Sequence, residues 1–166
     1  MANQIEVELF KKELSKCLDE TFEQIRGIYL DKGTSLFETL ESISAGDASR
    51  RVAEKCATVA AQVEHVRLYL DVLNDMLQTE AVAKVDWEEI WQSVREVTPE
   101  EWAEQKRRLR DSYERVRATL NNYERWQGEY GIAGALAILA HSAYHLGGIR
   151  QALCAIKSAP PPERLR

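Results

Sequence analysis

The chain has few of the residues that mark secreted, membrane or nucleic-acid-binding proteins. It carries three cysteines, Cys17, Cys56 and Cys154. An odd number, widely spaced and without a C-x-x-C pair, makes neither a disulfide framework nor a zinc ribbon. Each lies among apolar neighbours, which predicts small buried thiols. The four prolines sit at ends and boundaries, and no window sustains a two-residue alternation, so a strand-rich fold is excluded. Nothing reads as the roughly 18 consecutive apolar residues of a membrane span; the longest run, Tyr130 to Ala140, is broken by glycines and leads into histidine. The opening MANQIEVELFKKELSK carries charges throughout and lacks the apolar segment of a signal peptide. These absences lead us to expect a cytoplasmic protein with no membrane partner.

Excess positive charge is also missing. Against 27 acidic residues stand 22 basic ones, for a net charge of -5, which argues against binding driven by phosphate neutralisation. The densest basic run, Lys106-Arg107-Arg108 with Arg110, is flanked by acids and reads as a solvated helix face. No nucleic-acid partner is expected. What is present is apolar material: 45% of 166 residues are hydrophobic, enough for one core at the usual size of a single domain.

That apolar material is spaced for helices. A first helix is predicted from about Gln4 to Tyr29, with Val7, Phe10, Leu14, Cys17 and Ile25 on its apolar face. After a break at Asp31-Lys32-Gly33-Thr34, Leu36, Phe37 and Leu40 make a short helix that starts at Thr34 and ends near Gly46. In the second long helix, Val52, Cys56, Val59, Val63, Val66, Leu70, Leu73 and Leu77 follow steps of four and three without a miss, the pattern of a helix seam. A second stripe beside it carries Ala61, His65, Tyr69, Val72 and Met76. Residues 80 to 97, with Val85-Asp86-Trp87 and Trp91, read as a connection packed against the helices. Thr98-Pro99-Glu100-Glu101 is a strong helix start, and Trp102, Leu109, Tyr113, Val116, Leu120 and Tyr123 face inward after it. Gly128 and Gly131 bracket a turn into a fourth long helix that runs to about Lys157 and is stopped by Pro160-Pro161-Pro162. The fold class expected is all-α: an up-and-down four-helix bundle with an extra short helix between the first and second long helices. It forms one domain over residues 1–158, with a frayed tail at 159–166.

Histidine is scarce as well, and its placement is informative. There are three, and His141 and His145 lie one turn apart on one helix face, close enough to share a cation. His65 lies on the inward side of the second long helix. Ala137, Gly148 and Ala152 line the same face as the pair, and their small size leaves room for an ion and a ligand. Gly147 and Gly148 together cost roughly 2 kcal/mol in a helix interior, so packing or function has to compensate. A divalent ion bound by His65, His141 and His145 is one reading; core histidines are the other. H-E-x-x-H is absent, so a metalloprotease helix is not indicated.

The segment Ala140-His141-Ser142-Ala143-Tyr144-His145-Leu146-Gly147-Gly148-Ile149-Arg150-Gln151, with His65 in the middle of the second long helix, resembles the DinB/YfiT-like superfamily of metal-binding four-helix bundles. The likeness extends from the first helix to about Ile156. It implies a three-histidine site for one divalent transition ion, zinc or nickel first and manganese or iron as well, with positions left open for water. It also implies a small-molecule substrate, since characterised members include transferases and isomerases that use low-molecular-weight thiols. Many members have Gln where this chain has Gly148, so a specific thiol does not follow.

Three neutral imidazoles with open positions suit either a thiol S-transferase or a hydrolase. A non-catalytic metal or small-ligand binding protein, or a structural helical interaction protein, is the alternative. Tyr69, one turn after His65, and Tyr144, beside His145, are candidates for orienting the ligands; both equally fit ordinary aromatics at a core margin. Cys56 and Cys154 stand too far along their helices to join the histidines. An outer face bearing Trp87, Trp91 and Trp102 predicts a homodimer.

Overall fold

Thr58, Thr98 and Ser35 decide where the helices begin. In the computed structural model, which describes residues 5–82, 84–87, 91 and 96–158, the described residues form α1 (Val7–Phe22), α2 (Leu36–Glu41), α3 (Ala45–Ser49), α4 (Val59–Thr79), α5 (Pro99–Asn122) and α6 (Gly131–Ser158), with no strand among them. The chain is all-helical there, as expected. The tail 159–166 and the predicted start at Gln4 lie outside the described residues.

The start of α5 follows its sequence signal closely. The Thr98 hydroxyl accepts the Glu101 backbone N–H, and the Glu101 carboxylate accepts the Thr98 N–H at 2.8 Å. All six inward residues named above for this helix are buried. The α4 seam holds from Val59 to Leu77 but not before it. Thr58 caps the helix by accepting the Ala61 N–H, so Val52 and Cys56 fall outside α4 and are exposed. Cys154 is exposed as well and Cys17 only half-buried, which corrects the expectation of buried thiols.

Helix α1 stops at Phe22, seven residues before the predicted end, and Glu20 is the reason. Its fully buried carboxylate accepts backbone N–H groups from Arg26, Ile28, Tyr29 and Leu30 at 2.6–3.0 Å. Those donors are thereby taken from a continued helix. Burial alone raises this pKa, yet the four N–H donors outweigh it and hold the carboxyl down at about 2. The single short helix expected next is two: Ser35, not Thr34, caps α2 through Glu38, and Ser44 starts α3 by accepting the Asp47 N–H.

The direction of the long helices departs from an up-and-down order. Gln105 near the start of α5 donates to the Ala60 carbonyl at the start of α4, and Gln78 near the end of α4 donates to Thr119 near the end of α5. The two therefore run parallel. The chain allows this because residues 80–98, about 19 of them, reach well beyond the roughly 32 Å length of α4. Helix α1 runs against α5, with Arg110 bonded to Glu23 and Phe10 against Trp126. Helix α6 runs against α4: Gly134 faces Leu77 at one end, and Gly148 faces Gln62 towards the other. At its start, a Cβ on Gly131 would lie 2.8 Å from the Arg125 carbonyl oxygen; only glycine allows that approach.

The core is filled from all four long helices and α2. Phe22 stacks on Tyr113 at 4.3 Å, with Phe37 against both. Trp102 is also part of it, 3% exposed, its indole N–H donating to the Ile43 carbonyl at 2.8 Å. The outer aromatic face proposed for pairing therefore loses Trp102. Exposed apolar side chains occur at the start of α1, at Ile5, Val7 and Leu9, and along α6, at Ile132, Leu136 and Tyr144, the last three exposed by 49%, 46% and 75%. By length and composition α6 could also cross a membrane, a property shared by core helices, and its other face carries buried Ile138, Leu146 and Ile149.

Candidate metal centre

Antiparallel packing of α4 on α6 brings His65 opposite His141 and His145. One nitrogen from each ring lies within 4.8 Å of the other two, and the His65 and His141 Nε2 atoms are 3.0 Å apart. Ligands at about 2.1 Å from one ion stand roughly 3.0–3.4 Å from each other, so that pair already has the separation an ion requires. Ring centroids are 4.5 to 5.0 Å apart. His65 and His145 are buried and His141 is half-buried. All three histidines of the chain thus meet at one point.

Burial and mutual repulsion keep these rings neutral. His141 is pushed down to about 4 by desolvation, then by the charge that His145 and His65 would carry. His145 falls to about 4 by desolvation and by His65, and burial lowers His65. A neutral imidazole with a free lone pair is the form that binds a metal ion.

Beyond the contact between their own Nε2 atoms, His65 and His141 are flanked by aromatic rings. The buried Nδ1 of His65 has no partner among the described residues, whereas a ligating histidine commonly donates through its second nitrogen. Trp91 instead stacks on the His65 ring at 4.3 Å and Trp87 meets it edge-on at 5.3 Å. Tyr69, expected beside His65, lies 6.4 Å from it and stacks on His141 at 3.5 Å with the planes 11° apart. Tyr144 has its ring edge-on to His145 at 5.1 Å and is the most exposed aromatic of the site. Residues 80–97 contact the helices at the histidines through Trp87 and Trp91 and at α3 through Val97, whose N–H donates to the Ser49 hydroxyl; part of that connection lies outside the described residues. Sequence reasoning missed those two rings as site residues. The signal available was an aromatic pair four apart in a polar connection.

Of the two glycines after His145, only Gly148 has a close neighbour. A Cβ at Gly148 would come within 3.0 Å of Gln62 Oε1, and one at Gly147 would meet nothing within 4 Å. Cys56 and Cys154 take no part in the cluster. Comparison of the chain with family models, with curated proteins and with solved structures gave no match in any of the three. Three nearby histidines able to hold a metal ion remain the chemical content of this site.

Proposed function

We propose that the chain is a divalent-metal-binding protein of the DinB/YfiT-like kind. In this reading α1, α4, α5 and α6 form one four-helix bundle, and His65, His141 and His145 hold a single ion. The observation that carries it is the convergence of every histidine in the chain, from two helices, as neutral rings within 4.8 Å. Three imidazoles leave positions open, as catalytic sites do. Zinc or nickel suits the donor set first, with manganese or iron also accepted.

When bound there, such an ion supplies Lewis acidity that lowers the pKa of a water or a thiol. The chain's own residues do the rest. Stacking of Tyr69 and Trp91 fixes the His141 and His65 rings, and burial keeps all three neutral at physiological pH. The half-buried Trp87 and Trp91 limit the water around them. We read the activity as that of a metal-dependent thiol S-transferase or hydrolase on a small molecule, in a cytoplasmic protein without nucleic-acid or membrane partners. Pairing of two copies stays part of the proposal, through the exposed face of α6.

Metal analysis tests the core of the reading. Protein purified, stripped and reloaded should take up one equivalent of zinc or nickel, and its thermal unfolding should move upward at pH 7.5. A hundredfold excess of metal over Kd corresponds to about 2.7 kcal/mol. His141→Ala should lose most of that shift. An equal shift in the variant would place the ion elsewhere.

A further inference from the structure

Two long helices of this chain finish side by side. Helix α4 ends at Thr79 and α5 at Asn122, and Gln78 donates across them to Thr119 at 3.0 Å. A helix C-terminus carries about half a negative charge, spread over carbonyls that lack intrahelical partners. Two such ends repel each other, and neither helix has a basic residue in its last turn.

Arg125 relieves the α4 end. Its guanidinium donates to the Leu77 and Gln78 carbonyls at 3.0 and 2.7 Å and lies 3.5 Å from the Glu80 carboxylate. The α5 end is bridged by a neutral group, the Asn122 amide, which donates to the Ala118 carbonyl. Between the two ends lies a cavity of about 550 Å³, whose wall includes Thr119, Asn122, Tyr123 and Glu124. Tyr123 is 7% exposed, and its hydroxyl has no hydrogen-bond partner among the described residues.

On the α5 side this wall offers a ligand acceptors: terminal carbonyls, the Glu124 carboxylate and a phenol oxygen. An anion is opposed by both helix ends and by Glu124. Among the described residues, metal-ligating side chains gather in threes at the histidines alone, which argues against a metal ion as the occupant here. A donor that is positively charged and has a body of several atoms fits both the charge and the volume.

We propose that this cavity binds a small aliphatic amine as its ammonium ion, with the nitrogen at the end of α5 and beside Glu124. The site stands roughly 20 Å along α4 from His65 and does not rest on the metal reading. Such an amine is already protonated at neutral pH, so binding moves no proton.

Three four-carbon probes separate charge from size: diaminobutane, butanediol and succinate. Each is titrated by calorimetry into the chelator-treated full chain, so that no metal competes for the amine, and amide shifts of the labelled protein locate the site. Diaminobutane should bind about tenfold more tightly than butanediol, the order expected from two helix ends and one carboxylate, and succinate should not bind. The shifts should centre on Thr119, Asn122 and Glu124. Asn122→Lys sets a resident ammonium in the last turn of α5 and should weaken diaminobutane about tenfold without lowering Tm. Glu124→Gln, at an exposed position, should weaken it about threefold and carries the comparison if Asn122→Lys does not fold. Equal affinity for diaminobutane and butanediol overturns the inference. So do shifts centred elsewhere on the acidic surface, undiminished binding in the folded variant, or no binding of diaminobutane at all.

Discussion

Acidifying the metal-free protein should weaken it well above the pH at which carboxylates protonate. His145 titrates near 6.5 in an unfolded chain and near 4 in the fold, where burial and His65 oppose its charge. Its folded pKa is depressed, so between pH 6.5 and 4 the unfolded chain binds a proton that the folded one refuses. Stability is then lost as pH falls through that window, at up to about 1.4 kcal/mol per pH unit for one histidine. Over the full window this amounts to roughly 3 kcal/mol for His145. His141 adds less than a second full share, because part of its depression is the charge of His145 itself; together about 3–5 kcal/mol is expected. For a chain this long, 1 kcal/mol moves Tm by about 2–4 °C, so chelator-treated protein should lose roughly 6–20 °C between pH 7 and 4. The assay is thermal unfolding followed by circular dichroism at constant ionic strength. His141→Gln/His145→Gln carries neither proton site and should show a much shallower slope above pH 5. If the double variant falls as steeply as wild type in that range, the triad is not the seat of the effect. With zinc present, release should come only below about pH 5, since protons compete for the same nitrogens weakly until then.

Other consequences are checked separately. Glu20→Gln should cost about 3 kcal/mol in urea unfolding at pH 7, because the amide keeps one acceptor oxygen and turns its NH2 on the backbone N–H groups that now meet the other carboxylate oxygen. Glu20's own contribution is present above about pH 4.5 and is lost as pH falls toward 2, below the histidine window. Gly147→Ala should stabilise by about 0.5–1 kcal/mol, since the added Cβ meets nothing; a loss would mean the glycine is needed for more than helix continuity. Light scattering at tens of micromolar should give twice the 19.0 kDa mass, and Leu136→Lys, on the exposed α6 face, should return it to one copy. A monomeric wild type would reject pairing.

The parts legible in the sequence were those fixed by local chemistry. Thr98 and Glu101 announce α5 because a capping box is made entirely of residues three apart. The α4 seam and the i, i+4 histidine pair are visible for the same reason, as helical period alone sets which side chains share a face. What escaped depends on distant partners. The periodic run through Val52 and Cys56 continues a helix on paper, but Thr58 caps α4 after it. The end of α1 is set by Glu20, six to ten residues from the backbone it holds. The direction of α5 follows from a connection long enough to return, and nothing in the period of α4 or α5 records it. Trp87 and Trp91 looked like exposed surface for want of the knowledge that His65 would stand beneath them.

The parallel course of α4 and α5 has a consequence for how this protein can change over time. Because the chain must return to the start of α4, a connecting segment lies between the two helices, and two of its residues, Trp87 and Trp91, have their rings against His65. The three histidines, by contrast, sit on helices whose packing tolerates little alteration. Variation in the crossover would leave the three histidines in place while presenting a different surface beside them. On the metal reading proposed above, selectivity and metal affinity are inherited on separate stretches of chain, and descendants of this fold could diversify in the first without having to rediscover the second.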